Sequence, residues 1–315
     1  MGAIQKATPN LAQTYALQGE DVLAAYLADL DVKPRSRKAY GQGVRHFLEW
    51  TQERGIPNPT RADLIAYKEE TSRTYTAATA RLYIQSVKGF YKWLEAHGIT
   101  EDVAQGLKLP KKPEGFRKEA LTPEQASAVI RSLPLEDTEE ASRNRAIVLT
   151  LLLTGTRLIE LQRADLADLQ EGGGGEGVLL IQGKGREEKD ERALLPPHAM
   201  GALKAYLDKR GELEPSAPLF ASCSDRNHGG RLTTRTLSSI AKKALQEAGL
   251  DSELYTAHSF RHTAATLALL GGATLQEVQA MTRHADINTT LIYAHNVERM
   301  RNAPERKIEA VLEWQ

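Results

Sequence analysis

From residue 34 onward the chain sets apolar side chains at helical spacing. In "KPRSRKAYGQGVRHFLEWTQERG", Tyr40, Val44, Phe47 and Leu48 fall at i, i+4, i+7 and i+8, which is one face of a helix. The rhythm returns in "TSRTYTAATARLYIQSVKGFYKWLEAHG", where Tyr83, Val87, Phe90, Tyr91 and Leu94 form a stripe. With "DVLAAYLADL" before these segments and "TRADLIAYKEET" between them, residues 18–107 predict a compact all-helical domain. The rhythm stops at "LKLPKKPEGFRKEAL", whose prolines, glycine and cations suit neither helix nor strand, so 108–120 is expected to be a linker. Order restarts at "LTPEQ", with Thr122 as N-cap, Pro123 at the first helical position and Gln125 closing a capping box.

The second domain is therefore expected over 121–315. Its stretch "RNRAIVLTLLLTGTRLIELQRADL" predicts an apolar helix that breaks at Gly155 and resumes at once. "EGGGGEGVLLIQGKGREEKDERALLP" predicts two short strands around a Gly-Lys-Gly turn. Helices fill the remainder, and the expected fold is mainly α with a small β-sheet. The glycines at 172–175 predict a loop, and they lack the Gly-Lys-Ser/Thr ending of a phosphate loop. A tail helix at about 297–315 carries Ile308, Val311 and Leu312 at helical spacing, with Trp314 beyond. Such an apolar stripe needs a partner.

Length changes the picture little, since 315 residues exceed one usual core and agree with two domains. One cysteine, Cys223, excludes a disulfide framework and fits a reducing compartment. The extension 1–17 lacks the apolar core of a signal peptide, and no run is apolar enough to span a bilayer. A cytoplasmic, nucleoid-associated protein with no membrane partner is expected.

Charge does change the picture. The totals balance at 41 basic and 41 acidic residues, which by itself argues against a nucleic-acid partner. Their distribution argues the other way. Arg35, Arg37, Lys38 and Arg45 precede the first acid of their helix, Glu49. Arg81, Lys88 and Lys92 line a second face in a stretch with no acid between Glu70 and Glu95. A basic helix face is ordinarily solvated surface; two in one small domain suit phosphates, whose counterions such cations release. These seven residues are the DNA-binding candidates.

The end of the chain, "YTAHSFRHTAATLALLGGATLQEVQAMTRHADINTTLIYAH", concentrates reactive side chains. His258 and Arg261 share a helical face at i and i+3. Thr274 and Glu277 form a capping box that starts another helix. His284 lies at that helix's end, and Tyr293 on the segment after it. His258 and His262 have the spacing of a zinc-protease motif, but Ser259 stands where its glutamate would be, and no third ligand is evident. Taken singly, Tyr293 reads as an amphipathic helix tyrosine, Arg157 as a surface arginine, Lys184 as a turn lysine and His258 as a satisfied core histidine.

Together, "TGTRLIEL", "GKG", "HSFRHTAAT" and "RHADINTTLIYAH" resemble the signature boxes of the tyrosine recombinases, also called the phage-integrase family, in order and in spacing. The first domain is similar to the family's helical core-binding domain through "SRKAYGQGVRHFLEW" and "TAATARLYIQSVKGFYKWL". The resemblance implies a two-domain DNA clamp with a catalytic second domain. It gives Arg157 the place of the first catalytic arginine, Glu160 that of its supporting acid and Lys184 that of the mobile lysine. His258 and Arg261 match the histidine and second arginine, His284 the position of histidine or tryptophan, and Tyr293 the nucleophile. Thr282-Arg283-His284 stands where Leu-Gly-His is common.

The implied activity is cleavage and rejoining of duplex DNA through a 3′-phosphotyrosyl intermediate, without metal, ATP or other cofactor. The implied partners are inverted-repeat core sites and three further copies of the chain, joined through the tail in a synapse that passes through a Holliday junction. DNA-bending or directionality factors are possible accessories. The alternatives are a catalytically silent DNA-binding regulator on the same fold and a type IB-like topoisomerase.

Overall fold

A computed structural model describes residues 22–111, 119–183, 188–301, 304–309 and 311–312. The chain divides into two compact units between Glu114 and Gly115. Residues 1–17, Lys184, Trp314 and the 112–118 portion of the expected linker lie outside the described residues.

The first unit is helical, with α1 over 22–29, α2 (Pro34–Glu53), α3 (Arg61–Thr74) and α4 (Ala77–Ala96). Pro34 opens α2, where its fixed φ suits the first turn. Thr60 and Asp63 cap α3 reciprocally, with Thr60 N donating to Asp63 Oδ2 at 2.8 Å. The two stripes read from the sequence meet here: Val44, Phe47, Val87, Phe90, Tyr91 and Leu94 are all buried in one cluster with Tyr67 of α3. Phe47 and Tyr67 pack edge to face at 5.0 Å.

Three of the seven DNA-binding candidates bond to the unit's own backbone. Arg37 Nη2 donates to Leu30 O at 2.9 Å, Arg81 Nη1 to Pro110 O at 2.8 Å and Lys88 Nζ to Leu107 O at 2.6 Å. Arg35, Lys38, Arg45 and Lys92 are exposed.

The second unit is built around α6 (Glu139–Thr154), whose Ile147, Val148, Leu149, Leu151 and Leu152 are all buried. A helix apolar all round must be covered on every side. Neighbours of α6 are α8 (Pro197–Arg210), α9 (Thr234–Glu247), α10 (Ala257–Leu270) and the last strand of the sheet. α5 (Pro123–Ser132) begins at the expected capping box, with Thr122 N donating to Gln125 Oε1 at 2.9 Å. Leu121 N is tied to Thr263 Oγ1 of α10 at 2.8 Å.

The sheet has three antiparallel strands in the order β1 (Leu169–Glu171), β2 (Gly177–Ile181) and β3 (Glu191–Leu195). Leu179 lies opposite both Leu169 and Ala193. β2 and β3 are the two expected strands; β1 is an addition, because three residues are too few to show alternation. The expected glycine loop contains a 3₁₀ turn at Gly173–Gly175.

Four short helices carry the remaining boxes: α7 (Leu158–Arg163), α10, α11 (Leu275–Thr282) and α12 (Ile287–Arg301). α13 (Pro304–Glu309) follows, with Ile308, Val311 and Leu312 exposed. No described helix is long and apolar enough to cross a membrane.

Gly155 ends α6 in the left-handed region at φ +62°, and a Cβ there would sit 3.3 Å from Ala264 Cβ of α10. Handedness and close approach therefore both require glycine. Gly155→Ala should destabilise the second unit by about 2–4 kcal/mol in urea unfolding, from left-handed strain plus crowding. Gly249→Ala, at φ +79° in open space, should cost only about 1–2 kcal/mol. Equal losses at the two positions would contradict the tight contact.

Candidate active site

The break at Gly155 places Arg157 as the N-cap of α7. Glu160, fully buried in the first turn, folds back on it. Glu160 Oε2 accepts Arg157 N at 2.8 Å, and Oε1 accepts Arg157 Nη1 at 2.8 Å. One capping interaction thus starts the helix and aims the guanidinium. Arg157 remains half-buried, at the wall of a cavity.

Arg261 comes from α10 and is buried. Its Nη1 donates to Gly155 O at 2.6 Å, and its Nη2 donates to Thr282 O at the end of α11. Burial, and secondarily the Arg157 charge, push its pKa down to about 9, which leaves it cationic at neutral pH. One helical turn earlier, His258 lies exposed on the cavity wall. Desolvation by the surrounding protein, then the Arg261 and Arg157 charges, hold its pKa below the ordinary histidine value.

His284 follows α11. Its Nδ1 is 3.0 Å from both Thr282 Oγ1 and Thr290 Oγ1, which fixes the ring. Burial first, then the arginine charges, push its pKa down to about 4.

Tyr293 lies on α12, 2% exposed, packed with Ala265 and Val278. Its hydroxyl is 2.6 Å from Nδ1 of His262, and its ring is parallel to that of His284 within 2°, at 6.1 Å between centroids. Burial raises the phenol to about 12 against the opposing pull of Arg261 and Arg157. Burial, then the neighbouring His258, lower His262 to about 3. At neutral pH both members of this pair are uncharged.

An open cavity of ≈ 800 Å³ is lined by Arg157, His258, Arg261, His284 and Tyr293. Every reactive residue expected from the sequence and described in the structure is therefore at one place; Lys184 lies outside the described residues. Two anchored guanidiniums offer forked donors matched to the oxygens of a tetrahedral anion such as phosphate. Among the described residues no group of three His, Cys, Asp or Glu side chains is placed to hold a metal ion.

Two contributors were not anticipated. His262 is the group bonded to the tyrosine; its signal was the four-residue spacing from His258, which fits a shared helical face as well as a metal pair. The rings of His258 and His262 meet edge to face at 4.5 Å. Arg283 is the other. It takes the left-handed conformation itself, at φ +55° and ψ +48°, which costs a non-glycine residue roughly 1 kcal/mol or more. Its Nη2 donates to Glu160 Oε2 at 2.7 Å, and its Nε lies 3.5 Å from Glu191 Oε2.

The segment that holds these residues also matches known proteins. Residues 119–300 match the phage integrase family, and residues 23–98 match the phage integrase N-terminal SAM-like domain. The chain is 31% identical over 287 residues to the tyrosine recombinase XerC of Lactobacillus delbrueckii subsp. bulgaricus, covering 88% of this chain and 93% of that one. Its fold is similar to that of XerH recombinase bound to a palindromic difH substrate, with TM-score 0.73, 21% identity and coverage of 87% of this chain and 80% of that one. It is also similar in fold to a lambda integrase tetramer bound to a Holliday junction, with TM-score 0.64, 19% identity and coverage of 87% and 76%. With the family pattern spanning more than half of its length and the reactive residues of each described box gathered at one cavity, this chain belongs to the phage integrase family, the tyrosine recombinases.

Proposed function

We propose that the chain is a site-specific recombinase in which Tyr293 attacks a phosphodiester of duplex DNA. The tyrosine oxygen bonds to phosphorus, the bond to the 5′ oxygen breaks, and a 3′-phosphotyrosyl link remains. A 5′ hydroxyl, from the same or a partner strand, reverses the step. The link retains the energy of the phosphodiester, so resealing requires no ATP. The observation that carries this reading is a tyrosine set among two carbonyl-anchored or carboxylate-anchored arginines in a cavity open to a ligand.

In this mechanism Arg157 and Arg261 bind the two non-bridging oxygens and favour the pentacoordinate state, where charge is greatest. A preorganised donor of this kind is typically worth about 10²–10³ in rate. His262 holds the phenol in the free protein, where values of about 12 and about 3 keep the proton on oxygen. Reaching the phosphate moves the phenol to His258 on the cavity side, and His258 takes its proton as the bond to phosphorus forms. His284 hydrogen-bonds the phosphate. Lys184, by resemblance, protonates the departing 5′ oxygen. The arginines supply the charge that a metal ion would otherwise supply, and the proposal includes no metal step.

Strand exchange would join four protomers on two inverted-repeat sites through a Holliday junction, with the exposed Ile308, Val311 and Leu312 of the tail docking on a neighbour. The lambda integrase tetramer on such a junction supports this assembly by fold similarity. Accessory bending or directionality factors belong to the same proposal. A silent DNA-binding protein is the competing reading, and the burial of Tyr293 is the observation that favours it.

Nicked suicide duplexes drawn from the gene's flanking DNA separate the two readings. In EDTA, the wild type should form an SDS-stable adduct while Tyr293→Phe binds the same duplex and forms none. Tight binding by both without an adduct would establish the silent reading. For the first unit, Arg35, Lys38, Arg45 and Lys92 are the proposed phosphate contacts, because Arg37, Arg81 and Lys88 hold backbone carbonyls. Changing Arg45 and Lys92 to Ala should lower the slope of log affinity against log salt by about 1 per residue. An unchanged slope would remove them from the interface.

A further inference from the structure

Arg283 occupies a backbone position that suits glycine, and its own left-handed φ of +55° is the one positive value among the described non-glycine residues. The side chain must offset that strain. Its guanidinium is almost wholly buried, with the side chain 7% exposed. It bridges two carboxylates from separate elements: Glu160 of α7 and Glu191, the first residue of β3. Its Nη1 also donates to Met281 O at 2.8 Å, which fixes the guanidinium over the α11–α12 turn.

Both carboxylates bear on the same cavity. Glu160 holds Arg157, and Glu191 lines the wall with Arg157, Arg261 and Arg283. Asp286 lines it as well. Among the described residues, the guanidiniums of Arg157, Arg261 and Arg283 face the carboxylates of Glu160, Glu191 and Asp286. Without Arg283, the wall loses one positive charge beside Glu160 and Glu191, and an approaching phosphate meets stronger repulsion from both carboxylates.

We propose that Arg283 is a positioning residue for the phosphate site: by pairing Glu160 and Glu191 it leaves Arg157 and Arg261 available to an incoming phosphate. This rests on the reading of the cavity as the phosphodiester site. Arg283 acts through its neighbours and takes no part in bond making.

The test uses the full chain as wild type, Arg283→Gly, Arg283→Gln and the double variant Arg283→Gly with Glu191→Gln. Glycine suits the backbone and removes the charge; glutamine keeps bulk and removes the charge. In single-turnover cleavage of the nicked duplex, both single variants should fall at least about tenfold while DNA affinity stays within about twofold. Removing the Glu191 charge should then recover most of the loss, a rescue that a purely structural role does not produce. Wild-type cleavage by both single variants, or a loss that Glu191→Gln leaves untouched, would overturn the proposal.

A second arm needs no DNA site. Inorganic phosphate should raise the thermal midpoint of the wild type, raise it less in Arg283→Gly and regain its effect in the double variant. Equal rises in all three would also overturn the proposal. A phosphate effect that follows Arg283 and Glu191, in a wild type that binds the duplex tightly and forms no adduct, would sink the recombinase reading and leave this one standing.

Discussion

The guanidinium of Arg261 is the contact on which the site depends. It leaves a buried position on α10 and donates to the carbonyls that end two other helices, Gly155 O of α6 and Thr282 O of α11. Charge-assisted bonds of this kind contribute about 1.5–3 kcal/mol each, and more is lost when a buried charge is left unpaired. The Arg157 box, the Arg261 helix and the turn before His284 are therefore brought together by one side chain. Gly155 matters for the same reason, since a Cβ would separate α6 from α10 where that bond is made.

Around this contact the site keeps its cations fixed and its histidines and tyrosine neutral. Arg157 and Arg283 are held through Glu160, and Arg261 through backbone. The histidines are pushed below their ordinary values by burial and by that cationic field, while Tyr293 is pushed above its own by burial. The phenol, 2% exposed and paired with His262, is held neutral at the wall of the cavity. In the proposed mechanism it would become a nucleophile only where a bound phosphate and the arginines together favour the phenolate.

Much of this was legible in the sequence. The stripes of α2 and α4 were long and strongly periodic, and they are the core of the first unit. The capping boxes at Thr122 and Thr274 marked two helix starts, and both are formed. Arg157, His258, Arg261, His284 and Tyr293 could be named because their order and spacing carry the family pattern. Strand β1 was not legible, because a three-residue edge strand is specified by its neighbour β2 and not by its own alternation. Nor was the role of Arg37, Arg81 and Lys88, since a basic face looks the same in sequence whether it meets solvent, DNA or a backbone carbonyl. His262 and Arg283 were visible as residues; their partners, Tyr293, Glu160 and Glu191, are set by tertiary contact.

The measurement that bears most directly on this account is the titration of the Tyr293 ring in the free protein. ¹³C labelling of tyrosine Cζ, with Tyr293→Phe to assign its signal among the ten tyrosines, reads the phenol directly. Burial beside His262 predicts a signal that stays in the neutral form through the ordinary tyrosine range, with its midpoint raised to about 12. Ionisation at or below the ordinary value near 10 would contradict it, and would mean that Tyr293 already stands activated among the arginines before any phosphate arrives.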